Sequence, residues 1–467
     1  MEAMETNLQE NNLTEGVIWK QLLKFFFPIL LGTLFQQLYN TVDAIIVGNY
    51  VGATALAAVG GSPSQISNLL VGFFVGLASG AMIIISHYYG AGDKQRLQET
   101  VHTAIAFSLI TGAVLTVFGF FLTPWMLEVM RTPADIIEDS AVYLRIFFLG
   151  TVPLMVFNTG SGILRAVGDS KRPLYYLIVC CVLNIILDIV FVTVFHLGVA
   201  GVAWATIISL TVSAGLTVWS LCVTTAAYQL SFRRIRIYRE TLGRVLYIGI
   251  PAGIESALYS ISNLIIQVAV NELGSTVSAA WTATGKWDGV FWSVSNSFGV
   301  AISAFVGQAF GAKKYDRMKK SVRICLLMAL GTSAVLSVLL LALGKYGLRI
   351  FTSDEIVIEK AIEIIWYFIP FYVIWTFIEI LANVLRGAGD SIRPMIISLV
   401  GICGFRLLWC IFVLPGRNSI MTVSICYPIS WALTAAAFVI YYRKSDWLAR
   451  CIKLAEHKPG FDKERAG

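Results

Sequence analysis

The sequence predicts an all-α membrane protein with twelve transmembrane helices, arranged as two pseudo-symmetric six-helix lobes around a central cleft. Three observations support this prediction: the composition, a series of long apolar runs and an internal repeat. Of the 467 residues, 57% are hydrophobic and only 13% are charged, and the mean hydropathy is +0.75. In soluble domains about a quarter of the residues are charged. A polytopic membrane protein is therefore expected.

The apolar runs are each long enough to cross a bilayer, which takes about 20 helical residues. They lie near residues 22–48, 66–87, 101–122, 141–164, 173–195, 202–226, 245–270, 290–310, 322–343, 361–385, 394–414 and 420–442. Because their number is even, both ends of the chain are expected on the same side of the membrane.

The basic residues indicate which side that is. The loops on one side, together with the C-terminal tail, carry 27 Lys and Arg, the opposite loops carry 6, and Arg145 and Arg406 lie within helices. Since cytoplasmic loops are enriched in Lys and Arg, both termini are predicted to be cytoplasmic, in a multi-pass protein of the cytoplasmic membrane. The net charge of +7 thus reflects membrane topology, and no nucleic-acid partner is expected.

The remaining composition argues against a leader sequence, a disulfide framework and a bound cofactor. The first twenty residues are polar, without a short apolar run and cleavage site, so the first helix is expected to be retained. Eight cysteines lie singly or as one adjacent pair, without a CxxC motif, and four histidines are dispersed. This pattern is typical of small buried side chains rather than of a zinc site.

An internal repeat divides the chain. LRAVGDSKRP, starting at Leu164, recurs as LRGAGDSIRP from Leu385, and the same offset of 221 aligns SHYYGAGDKQRL with GQAFGAKKYDRM. The predicted divisions are a cytoplasmic N-terminal segment (1–19), an N-lobe (20–226), a basic cytoplasmic linker (227–244), a C-lobe (245–442) and a cytoplasmic tail (443–467). Parallel six-helix repeats are typical of transporters that work by alternating access.

Intramembrane acids predict the chemistry. Asn184 and Asp188 lie four residues apart, on one face of the fifth predicted helix. A carboxylate at a helix centre costs roughly 2.5–3.5 kcal/mol, so such groups usually face a bundle interior or a watery cavity. Asp43 in the first helix and Thr206 in the sixth have depths similar to that of Asp188, roughly 10 Å below the outer end at about 1.5 Å per residue.

The pattern therefore predicts an ion-coupling site at Asp43, Asn184, Asp188 and Thr206. Two carboxylates in one buried site cannot both stay ionised cheaply, so either a proton is held or a cation lies between them. Oxygen ligands suit a hard ion, and Na⁺ is admissible at Asp43, Asn184 and Asp188. Asn158 in the fourth helix fits this depth less well, and structural packing is an equal alternative for it.

The second half has charges of its own. The offset places Phe405 and Trp409 opposite Asn184 and Asp188, so ion coupling is expected to be concentrated in the first lobe. Glu255 and Arg406 have depths that allow a mid-membrane ion pair, which is slightly favoured over a second cation site because a lone buried charge needs a partner. Glu379 corresponds to Asn158.

Polar and aromatic side chains are candidates for lining the substrate cleft. Bare amides facing lipid are disfavoured, which favours Gln36, Gln37 and Asn40 as lining residues. Tyr39, Phe157 and Tyr259 are aromatic candidates for flat, cationic or amphipathic substrates. Packing in the core, or an outer interfacial belt in the case of Trp281, Trp287 and Trp292, is the alternative for the aromatic residues.

The motifs together resemble a known family. PILLGTLFQQLYNTVDAIIVG in the first helix, the loops RAVGDSKRP and RGAGDSIRP, and NIILD in the fifth helix are similar to the multidrug and toxic compound extrusion (MATE) transporters, most of all to their DinF-like bacterial branch. The resemblance covers residues 19–442. It implies export of small organic, often cationic, compounds in exchange for H⁺ or Na⁺, with the ion bound at the residues matching Asp43, Asn184, Asp188 and Thr206.

The resemblance also bears on the second lobe. Glu255 resembles a cation ligand of the NorM-like branch, but the companion acid of that branch in helix ten has no clear match near Phe371 and Tyr372.

Other functions make different demands on the sequence. A flippase for a lipid-linked precursor would require a wide basic cavity, and a membrane enzyme would require clustered His, Asp or Cys. No GxxxxGK[ST] loop is present, so the glycines of RAVGDSKRP and GAGDKQR are expected to form tight cytoplasmic turns rather than phosphate-binding loops. The energy is then expected to come from an ion gradient rather than from ATP. A monomer in the lipid bilayer, acting on small molecules, is the expected state.

Overall fold

The computed structural model describes residues 13–416 and 419–457. Residues 1–12, 417–418 and 458–467 lie outside it, and with them the ends of the predicted N-terminal segment and C-terminal tail. Regular structure in the described residues is helical. The α-helices are α1 (Ile18–Ile46), α2 (Ala53–Gly60), α3 (Ser62–Ala91), α4 (Lys94–Val129), α5 (Ile137–Leu149), α6 (Thr151–Ala166), α7 (Lys171–Ile189), α8 (Gly198–Val223), α9 (Arg239–Glu272), α10 (Ser275–Trp287), α11 (Gly289–Gly311), α12 (Tyr315–Ala342), α13 (Gly344–Leu348), α14 (Glu355–Phe368), α15 (Tyr372–Gly387), α16 (Ile392–Ser398), α17 (Phe405–Phe412), α18 (Ile420–Lys444) and α19 (Trp447–His457).

The helices confirm the twelve predicted spans. Within the described residues, 11 helical segments are long and apolar enough to cross a membrane, and the pair α5–α6, bent by 49°, supplies one more. Several spans are composite, since α2 with α3, α14 with α15, and α16 with α17 each form one crossing. The fold class expected from composition and apolar periodicity is therefore observed.

One local expectation is wrong. Proline interrupts a helix, so the sequence predicts a kink at Pro153 in the fourth span, whereas the break lies at Gly150, between α5 and α6. Pro153 is thereby placed in the first turn of α6, where the N–H that proline lacks would have no partner inside the helix. The stretch before the eighth predicted span forms a separate helix, α10.

The repeated loops adopt one backbone conformation. Gly168 has φ 91° and Gly389 has φ 100°, a region that a residue with a Cβ rarely enters. The amide of Asp169 and that of Asp390 each donate to the carbonyl five residues earlier, at 2.9 Å, which closes the preceding helix. The prediction that these motifs form tight turns is confirmed.

The backbone contacts divide the chain into two compact units. Of the described residues, unit 1 contains 13–16 and Leu23–Ala257, and unit 2 contains Val17–Leu22, 258–416 and 419–457. One cluster in the core of unit 1 packs Leu127, Leu144 and Phe148 together, all with 0% exposure. The comparable cluster in unit 2 is built on Ile266, Val270, Leu414 and Val423.

Candidate ion-coupling site

The two helices that carry the predicted acids end in the same unusual way. After α1 the chain continues as a π-helical turn, Val47–Val51, and after α7 as a second one, Val190–Val194. The two π turns contact each other, and Val47 and Val192 share one buried apolar cluster. Single π turns are rare and are often found at functional sites. In this protein they hold the C-terminal ends of α1 and α7 together.

This packing brings Asp43 and Asp188 face to face. Asp43 precedes the first π turn by one helical turn, and Asp188 lies just before the second. The two carboxyl groups are close enough to interact with each other. Asp188 is fully buried, with 0% exposure, and Asp43 is half-buried. Oδ1 of Asp43 and both carboxylate oxygens of Asp188 have no hydrogen-bond partner among the described residues. The site therefore holds acceptor oxygens that require a proton or a cation.

The predicted companion residues have different surroundings. Asn184 is 1% exposed, one turn from Asp188, and both polar atoms of its amide lack a partner in the described part of the chain. Thr206 on α8 donates its hydroxyl to the Val202 carbonyl at 3.0 Å, which leaves the hydroxyl oxygen able to accept or coordinate. Val202 packs in the same apolar cluster as the two π turns.

Asn158 contributes less than the other predicted residues. Its side-chain amide donates to the Leu154 carbonyl of the same helix, α6, at 2.9 Å. A donor satisfied within its own helix favours a structural role. The alternative that the sequence left open for Asn158 therefore fits its local hydrogen bonding better.

Two tyrosines complete the surroundings of the acids. Tyr39, one turn before Asp43 on α1, and Tyr143 on α5 both lie within electrostatic range of Asp43, and Tyr143 also lies within range of Asp188. Gln36 approaches the Tyr39 hydroxyl. Sequence reasoning had placed Tyr39 in the substrate cleft and had missed Tyr143. Tyr143 carries no local signal, because it reaches the acids only through the packing of α5 in unit 1.

The other first-half candidates separate into two groups. Gln36, Gln37 and Asn40 are exposed along α1, and their place in a substrate cleft stays a prediction. Phe157 is 8% exposed and packs with Leu177 in an apolar cluster. Phe157 is therefore part of the core of unit 1 in this structure, in agreement with the packing alternative.

The predicted charges of the second half are held by different partners. The Arg406 guanidinium lies 3.8 Å from the centroid of the Tyr427 ring and donates to Asn263 Oδ1 at 3.4 Å. Glu379 Oε1 accepts a hydrogen bond from Asn383 Nδ2 at 2.8 Å. Glu255 is buried on α9, with 6% exposure. A salt bridge between Glu255 and Arg406 stays a prediction.

Unit 2 also contains a buried acid that the sequence analysis missed. Asp288 lies between α10 and α11, is 6% exposed, and accepts a hydrogen bond from the Tyr372 hydroxyl. Trp292 and Trp375 pack near it with ring centroids 5.0 Å apart, and Tyr259 packs on Trp375 at 6.3 Å. The tryptophan-rich stretch resembled an interfacial belt, which concealed an aromatic core around an acid.

The side chains gathered in unit 1 determine which ions the site can bind. Two carboxyl groups, one amide and one hydroxyl offer oxygen ligands without sulfur or imidazole, a set that suits a proton or a hard monovalent cation. Among the described residues no group of three or more His, Cys, Asp or Glu is placed to hold a metal ion. The oxygen ligands of Asp43, Asn184, Asp188 and Thr206 therefore fit reversible binding of a small cation.

Comparisons with known proteins agree with this architecture. The MatE family model matches residues 28–190 and 251–412, one segment in each half. A probable multidrug resistance protein of Bacillus subtilis, YoeA, is 30% identical over 454 residues, covering 95% of this chain and 97% of its own. A probable multidrug resistance protein NorM of Thermotoga maritima is 25% identical over 403 residues, with 84% of each chain covered.

Solved structures show the same fold. A MOP superfamily transporter from Pyrococcus furiosus superposes with a TM-score of 0.86 at 22% identity, covering 95% of this chain and 98% of that one. A MATE transporter of Vibrio cholerae, VcmN, superposes with a TM-score of 0.86 at 20% identity, covering 92% and 98%.

Proposed function

The chain belongs to the MatE family of multidrug efflux transporters and is a transporter rather than an enzyme, and we propose that it exports small organic, often cationic, compounds in exchange for H⁺ or Na⁺. One observation carries the proposal: the half-buried Asp43 and the fully buried Asp188 interact with each other, and oxygens of both lack a hydrogen-bond partner among the described residues. Such a pair binds a cation or a proton, and is costly when neither is present.

The proposed cycle follows from that cost. An ion arriving from outside neutralises the pair at Asp43 and Asp188, with Asn184 and Thr206 as further oxygen ligands when the ion is Na⁺. Neutralisation weakens the attraction for a cationic substrate nearby, and the substrate leaves. A membrane potential of 100 mV supplies about 2.3 kcal/mol per charge, so one or two ions provide substantial driving energy.

The proposal also includes the organisation inferred from sequence. The lobes are residues 20–226 and 245–442, joined by the basic linker 227–244, and the repeat supports alternating access by rigid-body movement. Both termini are cytoplasmic in this proposal, the protein lies in the cytoplasmic membrane as a monomer, and ATP is not consumed.

Exchange of the acids tests the proposal in cells. Asp43→Asn and Asp188→Asn are expected to reach the membrane as folded protein but to lose ethidium efflux, because an amide cannot take up the coupling proton or balance a cation. Asp135→Asn, on an exposed loop, removes the same charge and is expected to keep full efflux. Full efflux by either site variant would refute the proposed mechanism.

A further substitution separates the two ions. A proton needs one carboxylate, whereas Na⁺ needs several oxygen ligands. Asn184→Leu is therefore expected to weaken efflux strongly if Na⁺ is the coupling ion, and to leave efflux nearly unchanged if H⁺ is the coupling ion. Strong loss of efflux driven by a pH gradient would assign Asn184 to structure rather than to coordination.

A further inference from the structure

A cavity of about 730 Å³ lies in unit 2, at the end of its helices where the basic loops occur. It is bounded by α12, α15 and α18 and by α19, the short helix that follows the last span. The cavity lies far along the chain from the acids of unit 1, and the proposed transport cycle does not use it.

The lining combines an apolar interior with a charged rim. Aliphatic side chains from four helices, among them Leu326, Leu381 and Ile452, form much of the wall. Lys319 and Arg323 on α12 also line the cavity and are exposed to solvent. A soluble anion would need the charges but not the aliphatic wall, whereas an amphiphile would use both.

The cations at the rim outnumber the acids. Lys319, Arg323 and Arg443 line the cavity with one acid, Asp446, and in the described ranges 13–416 and 419–457 none of the three forms an ion pair or hydrogen bond. Lys319 and Arg323 are four residues apart on one helix, a spacing at which like charges destabilise the helix. An anionic ligand would remove this repulsion.

The C-terminal helix closes the cavity and is firmly attached. Trp447 is 5% exposed, stacks on Tyr442 at 5.3 Å and donates its indole N–H to the Tyr442 carbonyl at 3.1 Å. Arg450 donates to the Tyr441 hydroxyl at 3.2 Å. That hydroxyl in turn donates to Asp390 at 2.6 Å, in the repeated loop. The wall formed by α19 is thus built into the fold.

We propose that this cavity binds one anionic phospholipid, with its phosphate at Lys319, Arg323 and Arg443 and an acyl chain along the aliphatic wall. Basic residues bind phosphate through charge-assisted hydrogen bonds, and basic pockets between transmembrane helices at the cytoplasmic surface suit anionic headgroups. The bound lipid would join α19 to α12. This inference does not depend on the identity of the transported compound or ion.

Native mass spectrometry of the purified full-length chain tests the inference. The probes are dioleoyl phosphatidylglycerol, dioleoyl phosphatidylcholine and glycerol-3-phosphate, each titrated against wild type. The wild type is expected to bind one phosphatidylglycerol at least tenfold more tightly than phosphatidylcholine, and to bind glycerol-3-phosphate weakly because it has no acyl chain to bury.

Matched variants locate the site. The triple variant Lys319→Gln, Arg323→Gln and Arg443→Gln is expected to bind phosphatidylglycerol about a hundredfold more weakly. The control removes three exposed charges elsewhere, through Lys94→Gln, Lys171→Gln and Lys313→Gln, and is expected to bind as the wild type does.

A further variant tests the apolar wall. Leu326→Trp, which fills the cavity, is expected to reduce binding of the lipid while its monodisperse elution profile stays unchanged. The proposal is overturned if the two triple variants lose affinity for phosphatidylglycerol to the same extent. It is also overturned if the wild type binds phosphatidylglycerol and phosphatidylcholine equally tightly. It is also overturned if glycerol-3-phosphate binds as tightly as the lipid, since the site would then be one for a soluble anion.

Discussion

Neutralising the buried acid of α7 is predicted to stabilise the protein while it abolishes coupling. In Asp188→Asn the amide keeps the size of the side chain but removes a charge that is fully buried and has no hydrogen-bond partner among the described residues. An ionised carboxylate at such a position costs roughly 2.5–3.5 kcal/mol. The variant is therefore expected to gain up to about that amount where the wild-type site is empty and ionised.

A more specific test is to measure how the melting temperature depends on the concentrations of H⁺ and Na⁺. If Na⁺ or H⁺ binds only the folded site, an ion at about 100 times its Kd stabilises the wild type by roughly 2.7 kcal/mol. Melting temperatures in detergent, measured from pH 5 to pH 9 with and without Na⁺, are expected to follow the coupling ion in wild type and in Asp135→Asn. Asp188→Asn is expected to melt at nearly the same temperature throughout. A variant that keeps the wild-type dependence would refute the reasoning.

Two further predictions concern packing and the C-terminal helix. The Cβ added by Gly299→Ala would overlap the side chains of Glu379 and Asn383, so the variant is expected to lose about 1–3 kcal/mol of stability. The control Gly331→Ala has open space at its Cβ and is expected to be neutral or stabilising. A melting assay measures both variants. Burial raises the pKa of the Cys451 thiol to about 12, so almost no thiolate exists at neutral pH. Maleimide labelling of Cys451 is therefore expected to be slow in the folded protein, and to become faster only toward alkaline pH or on unfolding. Fast labelling at neutral pH would contradict the observed docking of α19.

The sequence was sufficient for the fold because a membrane imposes strict rules. Apolar length identifies the spans, and the twelve spans counted from it are present. The repeat correctly predicted the turns at Gly168 and Gly389, since both need a backbone conformation that glycine adopts freely. The position of the break at Gly150 was not predicted correctly from the sequence. Pro153 lies near the bend, but a proline can lie either at a kink or in the first turn of the helix that follows it.

The candidate site was partly predictable for a related reason. Charge is so costly inside a bilayer that Asp43 and Asp188 stand out in the sequence, and helical rise gives their depths. Tyr143 does not stand out, since its position beside the acids depends on how α5 packs. Asp288 was missed because its neighbours in sequence are aromatic, and its hydrogen bond with Tyr372 joins residues far apart in the chain.

The most direct test of the central claim is ethidium efflux from proteoliposomes, with a pH gradient and a Na⁺ gradient imposed separately, on wild type and on Asp188→Asn. We expect one of the two gradients to drive efflux by the wild type and neither to drive efflux by the variant. Gradient-driven efflux that survives in Asp188→Asn would contradict ion coupling at the buried pair.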